Sequence, residues 1–508
     1  FFFLQTVEMD DIVNTIGDNL QVVFNNLSFL DVTPIKNLMS PLADQAAIVS
    51  ESAGLPIDQV NFLLLFFLSY PLALIHRQIW NPTIRHLFSA VFGILTVIYM
   101  VGNDFYHSLF TALVTYIILV VVRNPFGTKL IWFWAFGYMF ASHIYRMYID
   151  YMGWKVDFTI VQMVFTLKFC ALACNLQDGN FPQRELTSLQ KRYSISSPPN
   201  PLEYFSYLYY WCTILPGPFF EYTDYKAFIE RTLFKDGKIP AGSFKAFALI
   251  WARLVFVIAG VFLAFTYHPS FMWNDTEYAM SMDIFTRWAL VMFGFACLRS
   301  SYYTGWLMSE AAVILSGFGF NGNDAQGNVR WDRLRNIDIL DVEFGTSLKG
   351  MIAAWNKGTA HFLKVYVYFR VTKPRAKEGQ DPKKLKGLSA PQGQLLVFVV
   401  SALWHGCYPG YYYFFLISFF MNYIGAYFAK RISPLFANSS KVVQFLFGVV
   451  CWVVSMSALN YGALSFVALS HYHATTALSN VYWLGHILTV ALFVFAVVDP
   501  IRPKRKKN

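Results

Sequence analysis

The sequence predicts an all-α protein, a polytopic bundle of transmembrane helices. Three observations carry that expectation. Only 14% of the 508 residues are charged and 56% are hydrophobic, whereas soluble domains carry about 25% charged residues. Mean hydropathy is +0.42. Several windows reach the ~20 apolar residues that carry a helix across a bilayer, and the ~10-residue alternating segments of a membrane barrel do not dominate.

The candidate spans are 60–76, 86–102, 108–122, 130–148, 157–176, 204–220, 245–266, 285–320 (broken), 394–429 (broken), 443–468 and 478–499. That amounts to about ten to twelve passes, some broken or re-entrant. Three parts are expected: a non-cytoplasmic segment over 1–55, a membrane domain over 56–500, and a basic cytoplasmic tail over 501–508. No cleavable signal peptide is expected, because the start carries Glu8, Asp10 and Asp11 rather than a basic region.

Positive charge orients the chain. Arg77 and Arg85, then Arg123 and Lys129, then Arg184, Lys191 and Arg192 fall in loops that alternate correctly if all are cytoplasmic. The sequons at Asn26 and Asn274 then fall on the far side. The tail Arg502-Pro-Lys504-Arg505-Lys506-Lys507-Asn508 is placed in the cytoplasm. It fits both a dibasic endoplasmic-reticulum retrieval signal and an ordinary lipid-anchoring basic tail.

Counting back from that tail puts Lys430, Arg431, Lys441 and the basic stretch 371–386 in the cytoplasm. Residues 394–429 must then leave and return on one face within 36 residues. The turn is expected near Pro409-Gly410, since Pro breaks a helix and Gly permits a bend. His405 would lie near its deep end, ~17 Å down at the helical rise. Irregular backbone at that depth is tolerated only inside protein or beside a water-filled cavity.

Asn356 opens a different kind of segment, WNKGTAHFLKVYVYFR over 355–370. Its apolar positions form one face and Lys357, His361, Lys364 and Arg370 mostly another. An amphipathic helix is expected there, at the interface or along a polar channel.

A neutral imidazole in a dry cavity is a good general base, because burial disfavours the charged form. It could take a proton from a hydroxyl that attacks an ester or thioester. A carboxamide can donate to the developing oxyanion. No Gly-x-Ser-x-Gly elbow, His-Glu-x-x-His zinc site or Walker loop is present. No metal site is expected, and the six cysteines read as packing residues. On the residues alone, His405 fits a core histidine as well as a catalyst.

WNKGTAHFLKVYVYFR followed about fifty residues later by SALWHGCYPGYYYFF resembles the membrane-bound O-acyltransferase signature. Three further segments are similar to its lysophospholipid acyltransferase branch: Thr166 to Gly179, Leu215-Pro-Gly217-Pro218 ahead of Asp224-Tyr225, and Gly317 to Gly322 followed by Trp331-Asp332. The resemblance implies that fold, with 56–500 as its transmembrane catalytic domain, enclosing a chamber. It implies His405 as catalytic base and Asn356 as its partner. It implies an acyl-CoA co-substrate, no other cofactor, and a lysophospholipid acceptor re-esterified directly at a glycerol hydroxyl, with sn-2 expected. That is a 1-acylglycerophospholipid O-acyltransferase of the endoplasmic-reticulum membrane, with membrane lipid and no nucleic acid as partner.

Trp355, Lys364, Arg370, Arg299 and Glu310 are further candidates for substrate contact, and for Arg299 and Glu310 mutual pairing or snorkelling to the interface is the favoured reading. Two alternatives stand beside this expectation. One is acylation of a protein or peptide hydroxyl on the same fold. The other is a non-enzymatic lipid transporter.

Overall fold

A computed structural model describes residues 6–27, 30–153, 155–182, 185–215, 217–373 and 387–498. The tail 501–508, Arg184, Ser28 of the first sequon and Arg375, Lys377, Lys383, Lys384 and Lys386 of the basic stretch lie outside the described residues. Among these residues the protein is all-α; the one strand-like pairing is an isolated bridge between Asn323 and Val329.

Six helical stretches are long and apolar enough to cross a membrane, and the bent pair His471–Ser479 and Leu484–Val498 makes a seventh. This is fewer than the ten to twelve expected, partly because one stretch, Pro82–Val121, is 40 residues long and holds two of the expected spans, and partly for reasons of composition and length. Ile284–Ser316 carries Arg287, Arg299 and Glu310. Ala390–His405 is only 16 residues long.

The helix Phe158–Gly179 is the axis of the bundle, buried on nearly every face. Pro125–Ile149 and Phe105–Val121 pack against it, and so does the segment that follows Asn356. Its Lys168 has no solvent exposure. Nζ donates to the carbonyls of Tyr207 and Leu208 at 2.7 and 3.0 Å. These belong to the C-terminal turn of the helix Pro201–Leu208, where unpaired carbonyls and the negative end of the dipole suit a cation.

Several expected spans are corrected. No helix crosses 204–220: it stops at Leu208 and gives way to turns and extended backbone that carry Phe219 and Glu221 into the interior. The stretch 285–320 is not broken but one continuous 33-residue helix, Ile284–Ser316, closed by Gly317 at φ 94°. The last span begins at Leu484 after an 81° bend, not at 478.

The hairpin 394–429 does break as expected, but three residues earlier than expected. The turn is Gly406–Tyr408, with Gly406 at φ 131°, and Pro409 is the first residue of the helix Pro409–Phe436. Proline suits that position because its missing N–H would be unpaired there anyway. Gly410 serves close approach rather than bending: its N–H donates to Leu469 O at 2.7 Å, and a Cβ there would sit 2.1 Å from Ser465 O.

The N-terminal segment is docked on the bundle. Phe24 packs edge-on against His107 at 4.6 Å, and Val32 N donates to Asn103 Oδ1 at 3.0 Å.

Candidate active site

Asn356 stands between two short helices, Leu348–Ala354 and Lys357–Phe362, with left-handed backbone at φ 43°, ψ 57°. Asparagine tolerates that region better than most residues because its short side chain bonds locally. Its Oδ1 accepts from Thr359 N at 3.4 Å and from Asn336 Nδ2 at 3.2 Å. A backbone N–H can only donate, so the contact with Thr359 fixes which end of the amide is oxygen. The Nδ2 end is the part left to address something else.

Asn336, 1% exposed, is the rivet beneath this turn. Its carbonyl accepts from Lys357 N at 2.9 Å and its Oδ1 from Gly358 N at 2.9 Å. Gly358 is required here, since a Cβ would lie 2.6 Å from Phe219 N.

The segment after Asn356 is helical but not a surface helix. A π-helical turn, Leu363–Tyr368, interrupts it, and Phe362, Leu363, Val365, Tyr366 and Val367 are all buried. His361, Tyr366 and Arg370 face partners in the bundle. His361 Nε2 lies 2.9 Å from Glu221 Oε1. Tyr366 donates to Glu221 Oε2 at 2.6 Å. Arg370 grips Asp178 with two bonds of 2.7 and 2.5 Å.

His405 ends the helix Ala390–His405. Its ring is caged by Trp404, Tyr411, Phe415 and Phe466 at centroid distances of 4.8, 5.7, 5.3 and 5.0 Å. Among the described residues its nitrogens make no hydrogen bond, yet they are not sealed from accessible space. Tyr302, on the helix Ile284–Ser316, is 36% exposed.

His143, from the helix Pro125–Ile149, lies behind His405. Its Nε2 is 3.3 Å from the carbonyl of Trp404; a carbonyl only accepts, so Nε2 carries the proton in this contact. His143 also lies against Gly406, where a Cβ would come within 3.4 Å of its ring.

Among the described residues no hydrogen bond or ring contact joins Asn356 to His405. Aromatic residues lie between them. Trp355 packs on Tyr302, Tyr303 and Trp306 at 5.6, 5.9 and 5.0 Å, and Tyr302 is within electrostatic reach of Tyr411. The helix Ala390–His405 packs along the π-helical turn, and Pro409–Phe436 packs on Leu348–Ala354.

The other candidates are dispersed. Arg299 is held by Glu343 at 2.7 and 2.6 Å and by Asn460 Oδ1 at 2.7 Å. Glu310 accepts from Arg335 at 3.1 Å. Lys364 is exposed, with Nζ 5.8 Å from the Phe369 ring centroid. Asn336, His143 and Glu221 were not singled out from sequence. Asn336 lies in a polar run, RLRNID, that has no periodicity to read.

The sequence model of the membrane-bound O-acyltransferase family, MBOAT, matches residues 144–467. The chain belongs to that family of membrane acyltransferases. Its relatives narrow the comparison. It is 32% identical to the lysophospholipid acyltransferase of Schizosaccharomyces pombe, over 90% of this chain and 89% of that one. It is 28% identical to human membrane-bound glycerophospholipid O-acyltransferase 2, over 91% and 88% of the two chains. It is 29% identical to Arabidopsis thaliana lysophospholipid acyltransferase 2, over 91% and 97%.

Proposed function

We propose that this protein transfers a fatty acyl chain from acyl-CoA to a free hydroxyl of a lysophospholipid, with sn-2 the position esterified. The near full-length similarity to relatives bearing that name supports the reaction. The single structural observation that supports the assignment of roles is His405: a half-buried imidazole at the break of the hairpin whose nitrogens make no hydrogen bond among the described residues.

His405 takes the proton of the attacking hydroxyl as its oxygen bonds to the thioester carbonyl carbon. The carbonyl oxygen becomes an oxyanion, and the Nδ2 of Asn356 donates to it. Collapse re-forms the carbonyl, breaks the carbon–sulfur bond and expels CoA thiolate, which takes the proton back from His405. No covalent acyl-enzyme is needed. Trp355 lines the acyl path and Lys364 attracts the anionic end of acyl-CoA. Arg370, Arg299 and Glu310 act through the walls they hold rather than by direct grip.

The charge pattern supports a cytoplasmic C-terminus and a non-cytoplasmic 1–55 segment, and the dibasic tail Lys504-Arg505-Lys506-Lys507 fits residence in the endoplasmic-reticulum membrane. A panel of lysophospholipids offered with labelled acyl-CoA to membranes containing the protein tests the reaction. A labelled diacyl phospholipid is expected. Label only in protein, or in no product, refutes the reading.

A further inference from the structure

An apolar slot opens among helices that carry neither Asn356 nor His405. Its long walls are the helices Ile57–His76, lined from Leu65 to Leu72, and Pro82–Val101, lined from Phe92 to Tyr99. Each stretch is ~10 Å long at the helical rise. Trp211 and Leu215 of the interior segment complete the lining, with Met39 and Leu42 from the N-terminal segment. The cavity measures about 240 Å³ and is partly open to the outside. That is room for about eight groups the size of a water or a methylene, at ~30 Å³ each.

The lining offers water little to bind. The hydroxyls of Ser69 and Thr96 donate to carbonyls of their own helices, Phe66 O at 2.6 Å and Phe92 O at 2.8 Å. Tyr99 donates to Asn61 Oδ1 at 2.7 Å. Trp211 Nε1 is a single buried donor without a partner among the described residues, whereas a buried water makes about two to four hydrogen bonds. Both wall helices belong to stretches long and apolar enough to cross a membrane. Phe67, next to the slot in sequence, is 50% exposed, and in a bilayer that exposure is to lipid. The medium available to fill the slot is hydrocarbon.

Charge marks one end of it. The contact of Tyr99 with Asn61 joins the end of one wall helix to the start of the other. Lys36 stands at that end: a Cβ on Gly102, just beyond Tyr99 in the chain, would lie 3.6 Å from its Nζ. Met39, which lines the slot, donates its N–H to Lys36 O at 2.9 Å. Lys36 is the only lysine or arginine before Arg77. It is exposed and makes no ion pair among the described residues. A cation at the end of an apolar slot offers a phosphate and a methylene chain one partner each.

We propose that the slot holds one acyl chain of a membrane glycerophospholipid whose phosphate rests on Lys36. The lipid is a resident of the leaflet at that end of the bundle, neither acyl donor nor acceptor. It joins the helix Ser40–Ala53 to the two spans that form the walls.

The test uses the full-length protein purified in mild detergent, with its intact mass followed by native mass spectrometry as phospholipid is washed away. The native protein is expected to retain one phospholipid mass per chain. Leu42→Trp, which plugs the slot with an indole, should lower that retention roughly tenfold or more, since each methylene denied burial weakens binding. Lys36→Gln should lower it roughly threefold to fivefold. Gel filtration checks that each variant stays intact, and if Leu42→Trp does not, Lys36→Gln decides. Unchanged retention in either intact variant overturns the proposal. So does a native protein that carries no adduct, or only a fatty-acid or detergent mass.

Discussion

The side chain of Asn336 donates through Nδ2 to Oδ1 of Asn356 at 3.2 Å, across a gap of twenty residues. The same side chain accepts from Gly358 N. A buried amide thus engages Asn356 Oδ1 at its left-handed turn and leaves Nδ2 without a partner among the described residues. Asn336→Ala would leave Gly358 N unsatisfied, a loss of about 1–3 kcal/mol. Turnover should fall roughly tenfold or more, with acyl-CoA binding little changed. Initial rates and equilibrium binding on the same membranes check this.

Asn356 itself separates backbone from side chain. Its φ of 43° favours glycine and penalises alanine, by roughly 1–2 kcal/mol. Asn356→Gly should therefore be the more thermostable variant and Asn356→Ala the less. Both should lose acyl transfer alike, since both lack the carboxamide. Retained activity in the glycine variant alone would show that only the turn matters.

His143 bonds the carbonyl of the residue just before His405, at 3.3 Å. Cutting that bond frees the end of the helix and the imidazole's orientation with it. His143→Ala should lower kcat more than it raises KM. His143→Gln, which restores an N–H donor, should recover part of the loss. Steady-state kinetics of the three proteins read it directly.

Arg370 and Asp178 form a pair in which the carboxylate is almost wholly buried. Removing one partner of such a pair costs about 3–5 kcal/mol, because the other charge stays behind. Arg370→Gln should therefore reduce the fraction of protein surviving detergent extraction and mild heating. Asp178→Asn combined with Arg370→Gln should restore much of it. An intact variant with only a raised KM for acyl-CoA would instead return Arg370 to substrate binding.

The helical class, the hairpin ending near His405 and the partly polar helix after Asn356 could be read from hydropathy and charge. These are local properties of the chain. What could not be read are pairings made at long range. Arg299 and Glu310 interrupt an apolar stretch and suggest a break. The helix runs through, and Glu343, at the end of the short helix Ile339–Glu343, and Arg335, in the loop before it, neutralise them. The apolar run over 204–220 suggests a span, yet Lys168 claims the carbonyls of Tyr207 and Leu208, where the helix stops. Asn336 carries no sequence signal at all, since its meaning depends on the turn that folds over it. Pro409-Gly410 signals a turn correctly but not its residue, because proline opens a helix as readily as it closes one.

The central claim is that His405 is the base that activates the acceptor hydroxyl. Its most direct measurement is acyl transfer from labelled acyl-CoA to lysophospholipid in membranes bearing equal amounts of native protein and His405→Ala. The account predicts that the variant accumulates normally and transfers no label above background. Native-like transfer by His405→Ala would contradict it.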